Sequence, residues 1–237
     1  MPQLSSIIIL VLLGAFMLLC VKKGKLTPAG GLAAGITGLL VFAGSGITGV
    51  ILLTVFFLLA TIATSHRKTQ KAAVNPHEAH PEKRNAGQVF ANGGVAAVMA
   101  SLSLADPAHS NVYILMIAAS LASATADTIS SELGMVYGRN FYNILTFKRD
   151  TKGLDGVVSL EGTLAGAAGA LIIAIVYSIG YGFDERLIYI LVAGVLGNLI
   201  DSVLGASLER KRYINNDIVN FLNTLFAALI ALLLFYR

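Results

Sequence analysis

Between Ser123 and Thr163 the chain gathers the side chains best suited to chemistry. Asp127 and Glu132 close an apolar helix, Arg139, Lys148, Arg149 and Lys152 follow in a basic loop, and Gly153, Asp155, Gly156, Ser159, Glu161 and Gly162 lead into a second apolar helix. Carboxylates hold a hard divalent cation through oxygen, while Lys, Arg and backbone N–H groups hold phosphate oxygens. Together they suit a metal bound to a phosphate ester at a membrane edge. A further acid, Asp201, lies on a stripe with Gly194, Gly197 and Gly205 and is followed by Ser202, as Asp127 is followed by Thr128. An acid at the centre of a span costs roughly 2.5–3.5 kcal/mol, so it needs a cation, a metal or water. For either aspartate alone, a proton relay, a salt bridge to a loop arginine and a metal ligand all fit. For the two together, shared metal or proton chemistry is the better reading.

Other polar groups have local explanations beside functional ones. Gly153 to Gly156, GLDG, reads as a plain turn; followed by Ser159 as an N-cap it also reads as an anion site, because a helix start exposes N–H groups. Asn85, Gln88 and Asn92 fall at i, i+3 and i+7, hence on one helix face: interhelical hydrogen bonding or the polar wall of a ligand site. Asn216, Asn220 and Asn223 form a second amide face at i, i+4 and i+7. His66, His77 and His80 lie in a polar stretch with Pro76 and Pro81, as solvated histidines or a zinc site. The single cysteine, Cys20, excludes a disulfide framework and a thiolate metal site.

The elements that must position these residues follow from composition. Of 237 residues 56% are hydrophobic and 13% charged, and the mean hydropathy is +0.76. That exceeds what a soluble domain of this length buries, so the expected class is an all-α, polytopic integral membrane bundle with glycine-rich packing. About eight spans are expected, at 4–21, 28–44, 47–65, 87–105, 111–134, 162–180, 187–208 and 217–235. The segment 28–44 is short and 111–134 carries its own acids. The first reads as a retained helix, since Lys22, Lys23 and Lys25 follow rather than precede it. Segment 66–86 is expected as a mobile loop and 135–161 as the catalytic loop of a single membrane domain. Fifteen of the 17 Lys and Arg residues fall in alternate connections, leaving Arg186 and Arg237 on the other side. The positive-inside rule then makes the basic connections cytoplasmic, in the cell (inner) membrane, with both termini outside. The net charge of +4 reads as topology and lipid headgroups, with no nucleic acid partner.

Four ordered stretches carry a resemblance: RNAGQVFANGG at 84–94, ADTISSELG at 126–134, GLDGVVSLEGTLAG at 153–166, and GNLIDSVLGASLERK with NNDIVNFLNT in 197–224. They resemble the membrane family that includes chloroplast phytyl-phosphate kinase and uncharacterised bacterial and animal relatives. More remotely, the acidic helix followed by SLEGTLAG is similar to polyprenol and dolichol kinases. The chain departs from the family's usual pattern at Leu154, Val157 and Glu209. The resemblance implies a CTP-dependent kinase that phosphorylates a lipid-soluble isoprenoid monophosphate. Asp127, Asp155 and Asp201, with Glu132 or Glu161, would hold Mg2+. Lys148, Arg149 and Lys152 would clamp the nucleotide; Ser159 and the Gly153–Gly156 backbone would complete the cradle, Gly162 beside them. Asn85, Gln88, Asn92, Asn216 and Asn220 would line the substrate site, and the prenyl tail would lie between glycine-lined helices. A proton- or ion-coupled transporter and a cytidylyltransferase making a CDP-lipid are the rival readings.

Overall fold

The computed structural model describes residues 2–72 and 83–237. The helices are α1 (Pro2–Lys22), α2 (Pro28–Ser65), α3 (Lys68–Ala72), α4 (Ala86–Ala105), α5 (Ser110–Tyr137), α6 (Leu160–Tyr181), α7 (Arg186–Leu204), which continues as a π turn over Gly205–Glu209, and α8 (Asn216–Phe235). Four of them start on a side-chain cap that satisfies an N–H without an intrahelical partner. Thr27 accepts from Gly30 N, Asn85 from Gln88 N, Ser159 from Gly162 N and Asn215 from Ile218 N.

Helix α2 has 38 residues, about 57 Å at 1.5 Å per residue and far longer than a bilayer core of roughly 30 Å. It does not run straight. Gly46 has φ 67 and ψ −158, a conformation that only glycine adopts without strain, and Lys25 Nζ donates to Ser65 Oγ at 3.1 Å. The two ends of α2 therefore meet, and the halves 28–45 and 47–65 are separate passes. Among the described residues six helices, α2 included, are long and apolar enough to cross a membrane. With α2 doubled and the 21 residues of α1, the fold is an all-α membrane bundle of about eight spans.

The span that carries its own acids lies at the centre. From Leu115 to Ala126 every residue of α5 is buried, and most are Ala, Ser or Thr. Small side chains let α2, α4, α6, α7 and α8 all pack against it, through van der Waals contact where no water drives association. Gly162 of α6 rests on the Cα of Gly134. The basic connections share one end of the bundle. Leu26 bridges to Arg84, His66 Nε2 meets Tyr137 OH at 2.8 Å, and Arg210 reaches Asp150.

Two expected loops contain structure. The stretch 66–86 begins with α3, because Lys71 is drawn back onto the end of α2, donating to Ala63 O at 2.9 Å and Thr64 O at 2.8 Å. His77 and His80, with the rest of 73–82, lie outside the described residues. The connection 138–159 forms an antiparallel hairpin of β1 (Tyr142–Asn143) and β2 (Val157–Val158), with Tyr142 opposite Val158.

Candidate active site

Three helices bring acids and amides to one point below the hairpin. Asp127 on α5 and Asp201 on α7 bring their carboxyl groups together against the same side-chain amide, that of Asn220. Asn223 on α8 donates its Nδ2 to Asp201 Oδ2 at 2.5 Å, and its Oδ1 accepts from Ser123 Oγ at 3.0 Å. Turned so that its NH2 faces the acids, the Asn220 amide donates to Asp127 Oδ2 at 3.2 Å and Asp201 Oδ2 at 3.3 Å. No Lys, Arg or His among the described residues forms an ion pair with either aspartate. Two carboxyl groups this close hold a proton or a cation between them, since like charges do not both ionise uncompensated in such a place.

Glu132, one turn and a half further along α5, is not part of this pair. It forms a buried ion pair with Lys71. Glu161 faces the backbone N–H of Arg139, at 3.4 Å. The expected gathering of Asp127, Asp155 and Asp201, with Glu132 or Glu161, around one metal is therefore not found: among the described residues no three His, Cys, Asp or Glu side chains are grouped to hold an ion. The reason is that each acid has a position set by something else. What remains fits magnesium even so, because that ion usually takes one or two protein carboxylates and fills its shell with water and phosphate oxygens. Asp127 and Asp201 supply the charge and the amide groups a polar surround.

The GLDG loop is placed by α7. Arg210 at the end of the π turn donates Nη2 to Asp155 O at 2.7 Å and Nη1 to Asp150 Oδ2 at 2.8 Å, and its Nε is buried without an acceptor among the described residues. Gly156 has φ 69 and lies against Ser202 O and Ala206, where a Cβ would collide. Asp155 thus sits near enough to Asp201 to act on it electrostatically. The hydrogen bond from Arg210 holds the Asp150 carboxyl down at about 2. Asn143 buttresses the same acid through Nδ2 at 3.2 Å.

Lys148, Arg149 and Lys152, the expected phosphate clamp, all lie in the connection 138–159. Lys148 and Arg149 are exposed on the hairpin; Arg149 contacts Asn140 Oδ1 at 3.4 Å, and Lys152 covers the Phe141 ring. Gly153 has φ 86, Ser159 caps α6, and Gly162 is a packing contact. Asn85 and Gln88 form a reciprocal capping box, Gln88 N donating to Asn85 Oδ1 at 2.9 Å and Asn85 N to Gln88 Oε1 at 3.1 Å. Asn92 Nδ2 donates to Gln88 O. Asn216 touches Asn220. Sequence reasoning passed over Asn223 as a site residue, although it continued the amide face. It also passed over Lys71, Asp150 and the positioning role of Arg210, for which only an acid inside a basic run gave a signal.

Comparison with known proteins gives the family. Protein VTE6, chloroplastic, of Arabidopsis thaliana is 32% identical over 88% of this chain, which spans 65% of the plant protein's length. An uncharacterized membrane protein of Synechocystis sp. is 30% identical over 98% of this chain and 90% of its own. One of Methanocaldococcus jannaschii is 31% identical over 99% and 97%. No solved structure matches. The family model described as integral membrane protein DUF92 matches residues 11–228, and the chain belongs to that family.

Proposed function

We propose that this protein is a magnesium- and CTP-dependent kinase that converts an isoprenoid monophosphate to its diphosphate at the basic, cytoplasmic end of the bundle. The observation that carries the reading is the contact of Asp127 with Asp201, buttressed by Asn220 and Asn223 and paired with no protein cation among the described residues. A site of that kind is built to receive a cation, and the four-motif likeness to phytyl-phosphate kinase supplies the reaction.

An oxygen of the acceptor's phosphate attacks the γ-phosphorus of CTP, the bond from γ-phosphorus to the β,γ-bridging oxygen breaks, and CDP leaves. The acceptor is already ionised, so no strong base is needed and positioning does most of the catalysis. A bound magnesium ion would supply charge neutralisation of the triphosphate. Asp127 and Asp201 would hold it, while Asn223 and Asn220 fix the carboxyl rotamers. Arg210 fixes the GLDG backbone beside Asp201 and keeps a spare Nε–H for a phosphate oxygen. Lys148, Arg149 and Lys152, out on the hairpin, would draw an anionic nucleotide to this end.

One observation favours a second reading. Asp127 lies ten residues inside α5 from Tyr137, about 15 Å at 1.5 Å per residue, a depth that also suits a cation-coupled transporter. Incubating the purified protein with CTP, magnesium and a series of prenyl monophosphates separates the possibilities. Prenyl diphosphate with CDP is the expected product; a CDP-lipid with pyrophosphate means cytidylyl transfer. No turnover with any nucleotide, alongside proton-coupled uptake into vesicles that Asp201→Asn destroys, makes it a transporter.

A further inference from the structure

A narrow apolar cleft opens between α1, α2 and α4. Phe16 and Met17 come from α1, Val50, Leu53 and Phe57 from the second half of α2, and Val89 from α4. It extends from Phe57 to Val50 and from Cys20 to Leu13, seven residue steps on each helix, or about 10 Å of helix axis. Its polar rim is Arg84, with Gln88 and Asn92 below it. These are two of the amides whose spacing marked out a ligand wall.

Arg84 is the unusual member. Its guanidinium lies over the rings of Phe56 and Phe57, at 5.9 and 5.7 Å from their centroids. It finds no hydrogen-bond acceptor and no acid at ion-pair distance among the described residues. Burial pulls its pKa below the ordinary arginine value, yet arginine stays charged in proteins and carries five N–H donors. The acid that acts on it electrostatically is Glu132, already ion-paired with Lys71. Lys71 spends its remaining protons on Ala63 O and Thr64 O. The pair is neutral, so no described acid is left to match the charge on Arg84. Lys25, whose neighbour Leu26 bridges to Arg84, adds a second cation at this end.

We infer that this cleft is the binding site of a prenyl phosphate, with the phosphate on Arg84 and the head-proximal part of the chain between α1, α2 and α4. An apolar slot ending in a guanidinium that pairs with no described acid is complementary to a single hydrocarbon chain ending in a small, highly charged anion. The choice of a prenyl phosphate over another anionic lipid rests on the kinase reading; the cleft and its charge do not.

The test is photolabelling of the full-length protein in nanodiscs, without nucleotide, by a prenyl monophosphate with a diazirine on its chain. Labelled peptides are expected to contain Phe16, Met17 or Leu53. Unlabelled prenyl phosphate should compete about tenfold better than prenyl alcohol or a diacyl phospholipid, the margin of one charge-assisted contact. Arg84→Gln should lower labelling by a similar factor, and Leu53→Trp should remove it by filling the slot. Labels on outward residues such as Leu18 and Leu32, or equal competition by the alcohol, would overturn the site and leave a gap filled by bulk lipid. The competition uses wild-type protein, so it decides the matter even where a variant fails to fold. Binding without turnover would sink the kinase and spare the cleft; turnover with labels elsewhere would do the reverse.

Discussion

Asp127 and Glu132 are five positions apart on α5, and the two carboxyl groups meet opposite surroundings. Glu132 faces a lysine whose other protons are spent on backbone carbonyls, so its charge is matched inside the protein. Asp127 faces another acid and the Asn220 amide, while Asn223 holds that second acid, so no described cation matches its charge. Both arrangements solve the problem of an acid inside an apolar bundle, but one is complete and the other requires something to bind. The difference separates a carboxylate that holds the fold together from one that can do chemistry, although sequence spacing put them in the same set.

The largest expected effect tests the incomplete site. Asp127→Asn and Asp201→Asn should each lower turnover by about 10^4-fold, roughly 5.4 kcal/mol of lost transition-state stabilisation, with the double variant no worse because the two act as one unit. Steady-state rates of prenyl diphosphate formation check it, and a variant with near wild-type activity would remove that acid from the site.

Glu132→Gln tests the complete site and should act on stability. Leaving Lys71 buried without its partner costs about 3–5 kcal/mol, and the double change Lys71→Met with Glu132→Leu should restore most of it. Thermal unfolding in detergent measures both. Should Glu132→Gln instead abolish turnover and leave the melting curve in place, the contrast between the two acids would collapse.

Asn223→Ala should cost less, about 10–100-fold in activity, as expected of a group that orients a ligand rather than binds the substrate. Apparent magnesium affinity should weaken by a similar factor, a readout that simple loss of packing would not move.

The smallest effect belongs to the hairpin. Asp150 has its pKa lowered from the ordinary 3.8 to about 2, chiefly by Arg210. A carboxyl with a lowered native pKa contributes its stabilisation above the unfolded value and loses it as pH falls through the native one. Docking of the hairpin on Arg210 should therefore be constant from neutral pH to about pH 4 and loosen as pH falls towards 2. Hydrogen exchange across 138–159 follows it, and Asp150→Asn should remove that pH dependence with only a modest loss of activity.

Much of the architecture was readable one segment at a time. Runs of apolar residues, the alternation of cations and the cap Ser159 depend on neighbours within a turn or two, so sequence alone determined about eight passes, the end that gathers the cations and the start of α6. The same held for the chemical types at Asp127, Asp201 and the amide face of α8. Which of these groups meet was decided by tertiary structure. The Lys71 to Glu132 pair joins residues 61 apart, and Asn223 reaches Asp201 across 22. No local period encodes such contacts; they depend on how closely the small side chains of α5 let five neighbours approach. Lys148 and Arg149 show the same limit from the other side: both are exposed, and in water a charge needs no partner, so their spacing carried no information about where they would lie.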